Sequence, residues 1–221
     1  MVHVLELLGC TANGATTEAA LEATPEAIRA YLRFLQGCGE PVDASTAFAT
    51  RIEEHVTEGM WLGNGSPYFV FGPDIQPVTA DEIETYLHRF HAMRDELARW
   101  AEQQDSAALG RPVAGGRTNR AILLHILGVP GAYLSAALGG ASGFSRIVTL
   151  AERDQLPLPE ALRQIEALVA EVICATTPEQ RRAIVQRPKD VRTLRKAIRR
   201  ILEHDWEHLV ELSRRAGGPR L

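Results

Sequence analysis

Between Thr79 and Trp100 the apolar residues Ile83, Tyr86, Leu87, Phe90, Met93, Leu97 and Trp100 recur every three or four positions. Such a spacing collects them on one side only if the chain is an α-helix. Thr79 or Asp81 supplies the N-cap. Three further stretches carry helical signals: about Thr118 to Leu138, apolar nearly all round; about Pro159 to Ala175, with a short extension after Pro178; and about Asp190 to Ala216, stopped by Gly217, Gly218 and Pro219. No single amphipathic helix can bury its own stripe, so four of them predict a four-helix bundle.

The first 78 residues read differently. The apolar run VHVLELLGC, ended by Gly9 and Cys10 and followed by Thr11, Asn13 and Gly14, predicts a strand. A helix should follow, with Thr16 as N-cap, Glu18 in its first turn, and a stripe of Leu21, Ala27, Ile28, Tyr31, Leu32 and Leu35 ending at Gly37. Pro25 interrupts that stripe and should kink or restart the helix. Thr46 to Val56 and Ser66 to Phe71 predict two more strands around a turn at Gly63, Asn64 and Gly65. Residues 72–80, with Pro73 and Pro77, form the expected linker. The expected class is therefore α+β, with an α/β unit at 1–78 and a helical bundle at 79–221.

Composition narrows the functional classes. Of 221 residues 45% are hydrophobic, enough for a sizeable core. A net charge of -4 gives no electrostatic case for nucleic acid or an anionic membrane. By its apolar runs the chain is expected to fall short of the roughly 18 residues of a membrane helix, and MVHVLELLGC lacks the basic start of a signal peptide. A cytoplasmic protein is the expectation. Cys10, Cys38 and Cys174 are odd in number and widely spaced, which argues for reduced thiols rather than a disulfide framework.

His204 and His208 stand four apart on the last predicted helix, where Leu194, Ala197, Ile198 and Ile201 lead into them and Leu209 and Leu212 follow. Both rings therefore point inward or sideways. Burying imidazoles without partners is costly, so the pair asks for a metal, a carboxylate, a carbonyl or water. His125 is the one polar interruption in AILLHILGV and offers a third nitrogen. Alone, each would be an ordinary hydrogen-bonded core histidine; together they have the donor type and spacing that suit zinc, nickel or iron. Glu211, seven residues beyond His204, could accept an imidazole N–H, act as a general base, supply a fourth ligand, or be an edge-of-core glutamate. Asp205 and Tyr133 are weaker pocket candidates that could equally be structural. Pro130 removes a helical hydrogen bond to the carbonyl of Ile126 and should kink the second helix.

The run Arg187, Lys189, Arg192, Arg195, Lys196, Arg199 and Arg200 could bind an anionic substrate, although a solvated helix face is the plainer reading. His55, His88 and His91 lie apart from the constellation. No P-loop, GxGxxG, GxSxG or HExxH is present.

Two resemblances rest on these residues. RTNRAILLHILGVPGAYL and TLRKAIRRILEHDWEHLVEL are similar to the histidine-bearing helices of the DinB-like four-helix bundles, a family that includes bacillithiol- and mycothiol-dependent enzymes. This resemblance covers about 60% of the chain. It implies that His125, His204 and His208 ligate a divalent metal. ELLGCTANGATTEAALEATPEAIRAYLRFLQGCGEPV resembles the HicB antitoxin-like fold through Gly9-Cys10, then Gly14, Thr16 and Glu18, then Gly39-Glu40-Pro41. That family's first long strand and its DNA-binding extension have no counterpart, so its fold is implied without its operator binding. The resulting expectation is a metal-dependent hydrolase or thiol transferase acting on a small-molecule substrate. The competing expectation is a non-catalytic binding or regulatory module, with a structural metal or none, forming a homodimer through a strand edge of the N-terminal unit.

Overall fold

In the computed structural model, which describes residues 1–188 and 190–221, helices dominate and the strands are short. Strand β1 (Val2–His3) pairs antiparallel with β2 (Thr11–Ala12), setting Val2 opposite Ala12 and His3 opposite Thr11. The turn between them needs Gly9. Its φ of +103° is a left-handed value, and a Cβ there would collide with the Tyr31 hydroxyl. That hydroxyl donates to the Leu8 carbonyl at 2.9 Å.

Helix α1 (Thr17–Gly37) begins where the Thr16 side chain accepts from the Ala19 N–H, and it runs unbroken through Pro25. After a 3-10 turn at Gly72–Ile75 come α2 (Ala80–Glu102), α3 (Ser106–Gly110), α4 (Asn119–Leu138), α5 (Phe144–Glu152), α6 (Leu158–Cys174) and α7 (Pro178–Arg182). The hairpin β3 (Val185–Arg187) and β4 (Asp190–Arg192) then precedes α8 (Leu194–Ser213). Thr79 and Glu82 form a reciprocal capping box on α2, in keeping with the predicted threonine cap. The long helices α2, α6, α4 and α8 pack in a ring, each touching the next, and close a four-helix core containing Phe90, Met93, Ile126, Ile165 and Leu209.

Helix α1 lies on the outside of α8. Tyr31 and Phe34 set their rings 4.7 and 5.2 Å from that of Trp206, which is buried. One apolar cluster thus runs from the N-terminal residues into the bundle.

The run 2–10, expected as one strand, is strand only at Val2–His3, and Pro25 neither breaks nor restarts α1; four further expectations need correction. The strands predicted at 46–56 and 66–71 do not form: a strand exists only when another strand takes its backbone groups, and among the described residues no backbone group from 47 to 57 bonds another backbone group. The last helix starts at Leu194 rather than near Asp190, because Thr193 takes the N-cap and 190–192 are drawn into the hairpin. Helix α4 is, by length and composition, apolar enough to cross a membrane, against the expectation from its apolar runs; a buried core helix passes the same test, and α4 packs against α5, α6 and α8.

The basic run is the fourth. Arg195, Lys196, Arg199 and Arg200 are buried rather than solvated. Each meets acceptors, several of them from distant parts of the sequence. Arg195 donates to Glu82 and the Pro77 carbonyl, and Lys196 to Asp190 and the Val191 carbonyl. Arg199 grips Asp74 with two hydrogen bonds of 2.7 and 2.8 Å and also reaches Glu203. Arg200 donates to Glu203 and the Gly65 carbonyl. Arg187 and Arg192 stand on the β3–β4 hairpin, and Lys189 lies outside the described residues.

Candidate metal centre

Helices α4 and α8 run antiparallel. At one end Arg215 donates to the Asn119 side chain at 2.7 Å; at the other Arg200 donates to the Tyr133 hydroxyl at 3.4 Å. His125 falls midway along this seam, opposite His204 and His208, which the helical repeat sets one turn apart on the same face of α8. The ring centroids lie 4.7 Å apart for His125 and His204, 5.2 Å for His125 and His208, and 4.5 Å for His204 and His208. One nitrogen from each ring can be chosen so that all three lie within 4.8 Å of one another. His204 Nε2 and His125 Nε2 are 2.9 Å apart. His204 and His208 are buried while His125 is exposed, so the cluster opens to solvent on the α4 side.

Proton positions follow from the partners. The His208 Nδ1–H donates to Glu211 Oε2 at 2.7 Å, which leaves the Nε2 lone pair for the cluster. His204 Nδ1 is buried without a hydrogen-bond partner, with Asp205 Oδ1 3.8 Å away. Burial pushes all three imidazoles below the usual histidine range. At His125 the charges of His208 and Arg117 push the same way; at His204 the carboxylate of Asp205 opposes; at His208 the charge of His204 reinforces and Glu211 opposes. The balance keeps the rings neutral near neutral pH, which is the form that ligates metal.

This donor set fits a small divalent cation. Zinc–nitrogen bonds of about 2.0–2.1 Å at a tetrahedral angle require nitrogens roughly 3.3 Å apart. The separations here, 2.9 Å for one pair and none beyond 4.8 Å, bracket that value. A metal held by these three nitrogens would keep further positions for water or substrate.

Behind the cluster stands Asp205, fully buried, whose carboxylate is clasped by Arg94 of α2 through Nε and Nη2. The same Nη2 donates to the Ile126 carbonyl at 3.1 Å. That carbonyl is the one that Pro130 deprives of its helical N–H, so Arg94 satisfies the acceptor the proline leaves open. One side chain therefore ties α2, α4 and α8 together beside two of the three histidines. Sequence reading misses this arginine. The signal is there, since an arginine between Phe90 and Leu97 sits on the apolar face of α2.

Glu211 has both oxygens engaged, Oε2 with His208 and Oε1 with Arg215 at 3.0 Å. In this arrangement it orients His208. Arg117, 44% exposed, approaches Glu211 at 3.6 Å near the open side. Tyr133 is held by Arg200. The other histidines lie elsewhere: His3 donates to Glu203, His88 meets the Cys38 carbonyl, His91 faces Glu166, and His55 is exposed. All three cysteines are free thiols. No protein-family model, curated protein or solved structure matches this chain.

Proposed function

We propose that His125, His204 and His208 hold one divalent metal ion, of the zinc, nickel or iron kind, and that the protein is a metal-dependent hydrolase or thiol transferase acting on a small molecule. The observation that carries this reading is the convergence of three neutral imidazole nitrogens on one point open to solvent, with the far nitrogen of His208 already anchored by Glu211. Structural histidines have no need to face one another. Two Nε2 atoms at 2.9 Å can share at most one proton, so some occupant or a shared proton must relieve their lone-pair repulsion.

When bound, such a metal lowers the pKa of a coordinated water or thiol and so supplies a nucleophile near neutral pH. The chain's own residues do the rest. Glu211 keeps the proton of His208 on Nδ1, and Asp205, fixed by Arg94, faces the Nδ1 of His204. Arg117 puts a guanidinium at the open side, suited to an anionic substrate group.

The family reading belongs to the same proposal. A ring of four long helices with one histidine on α4 and an HxxxH on α8 supports a DinB-like bundle. The Gly9 turn and the Thr16-capped helix support a HicB-like N-terminal unit, though with two short strands in place of a larger sheet. Cobalt substitution tests the catalytic part. The visible spectrum of the cobalt-loaded protein should change on addition of a small thiol or azide, because an open position accepts it. A spectrum indifferent to both would mean a closed sphere and a structural ion.

A further inference from the structure

We propose that residues 47–57 pair antiparallel with the same segment of a second copy of this chain, about a twofold axis at Ile52. The stretch 47–57 is unusual within the molecule. None of the backbone N–H or C=O groups of 47–57 bonds another group of the protein among the described residues, although the alternating pattern is that of a strand. Arg51 and Glu53 already bridge at 3.0 Å, the contact of two side chains on one face of an extended chain. Phe48 lies against the Arg29 guanidinium of α1, 4.6 Å from ring centroid to Cζ; beyond it a groove of about 1300 Å³ separates the segment from α1, and no strand among the described residues pairs with it. Six of the ten large apolar side chains that are exposed among the described residues lie between Phe48 and Tyr68, Ile52 and Trp61 being 61% and 60% exposed.

Charge selects the partner and the register. Centred on Ile52, antiparallel pairing sets Arg51 opposite the partner's Glu53 and Glu53 opposite the partner's Arg51. Ile52 then meets its own counterpart, Phe48 meets the partner's Val56, and Ala49 meets the partner's His55. No like charges oppose each other. Centring the axis on Arg51 would put arginine against arginine, and centring it on Glu53 would put glutamate against glutamate. The sequence is thus self-complementary in one register and repulsive in the two neighbouring registers that keep the same faces together, as suits an isologous interface.

Light scattering after size exclusion tests this on the full chain. Wild type should elute with twice the 24.3 kDa chain mass. Arg51→Glu and Glu53→Arg should each weaken the dimer about tenfold or more, by setting like charges opposite each other at two points. The double variant R51E/E53R should recover the dimer, and so should an equimolar mixture of the two single variants. Both side chains are exposed, at 81% and 60%, and far-UV circular dichroism checks that the variants remain folded. A monomeric wild type, a single variant that dimerises as tightly as wild type, or a double variant that stays monomeric would overturn the proposal.

Discussion

His204 presents one nitrogen to His125 at 2.9 Å and the other to a buried space with Asp205 3.8 Å away. A histidine that served only packing would be expected to satisfy both nitrogens, because a buried unpaired polar atom costs about 1–3 kcal/mol. His208 is better served, since Glu211 takes its Nδ1 proton. Removing that acceptor should loosen the ring without unfolding the helix. Glu211→Ala is therefore expected to weaken zinc binding about 10–100-fold in a competition titration while leaving the melting temperature nearly unchanged. An unchanged affinity would mean that Glu211 is a surface residue and no more. The inward orientation of His204 and His208 is legible from the apolar residues around them. The Asp205–Arg94 pair is not, because nothing in an isolated sequence says which arginine on an apolar face will find a carboxylate 111 residues away.

At the scale of the element, the helices are legible because each carries its own evidence: a stripe at helical spacing, a threonine cap, a glycine exit. Strands are not, because a strand depends on a partner that its own residues do not name. Thr46 to Val56 has the alternation of a strand and no ladder. The basic face of α8 is misread for a related reason, since its acceptors Asp74, Glu82 and Glu203 come from other turns and other elements. Two predictions arise between elements. Arg94→Met leaves Asp205 as a buried unpaired charge and should cost about 3–5 kcal/mol, whereas the double variant R94M/D205L should cost less than the single one. Chemical denaturation of both checks this; a double variant worse than the single would mean that the pair itself stabilises the bundle. The second prediction concerns Glu203. Burial pushes its carboxyl up, but Arg199, His3 and Arg200 outweigh burial and hold it well below the ordinary carboxylate range. The folded protein thus refuses a proton that the unfolded chain accepts. Stability from this group is complete above the ordinary carboxylate value and falls as pH drops below it. Thermal unfolding measured from neutrality downward should lose stability less steeply in Glu203→Gln than in wild type, from a lower starting point because Arg199 and Arg200 lose a partner. A variant as steep as wild type would assign the acid sensitivity to other groups.

Across the whole molecule, α8 joins the N-terminal residues to the bundle, and its faces divide the work. Glu203 and Trp206 face the N-terminal residues, through His3 and through Tyr31 and Phe34, whereas His204 and His208 face α4. The helical repeat alone produces this, since neighbours in sequence point about 100° apart around the axis. That the last helix carries an inward histidine pair can be read from the chain. That another of its faces anchors the N-terminal residues cannot, because the contact joins residues from opposite ends of the sequence. That the three histidines form one metal site is tested by elemental analysis of protein purified without an affinity tag or chelator. Wild type should carry close to one divalent metal ion per chain, and His204→Ala and His208→Ala should each lose it while keeping the helical circular dichroism of the parent. Wild-type protein without metal, and unable to take up zinc, nickel or iron on titration, would contradict the claim, as would either variant retaining the full wild-type metal content.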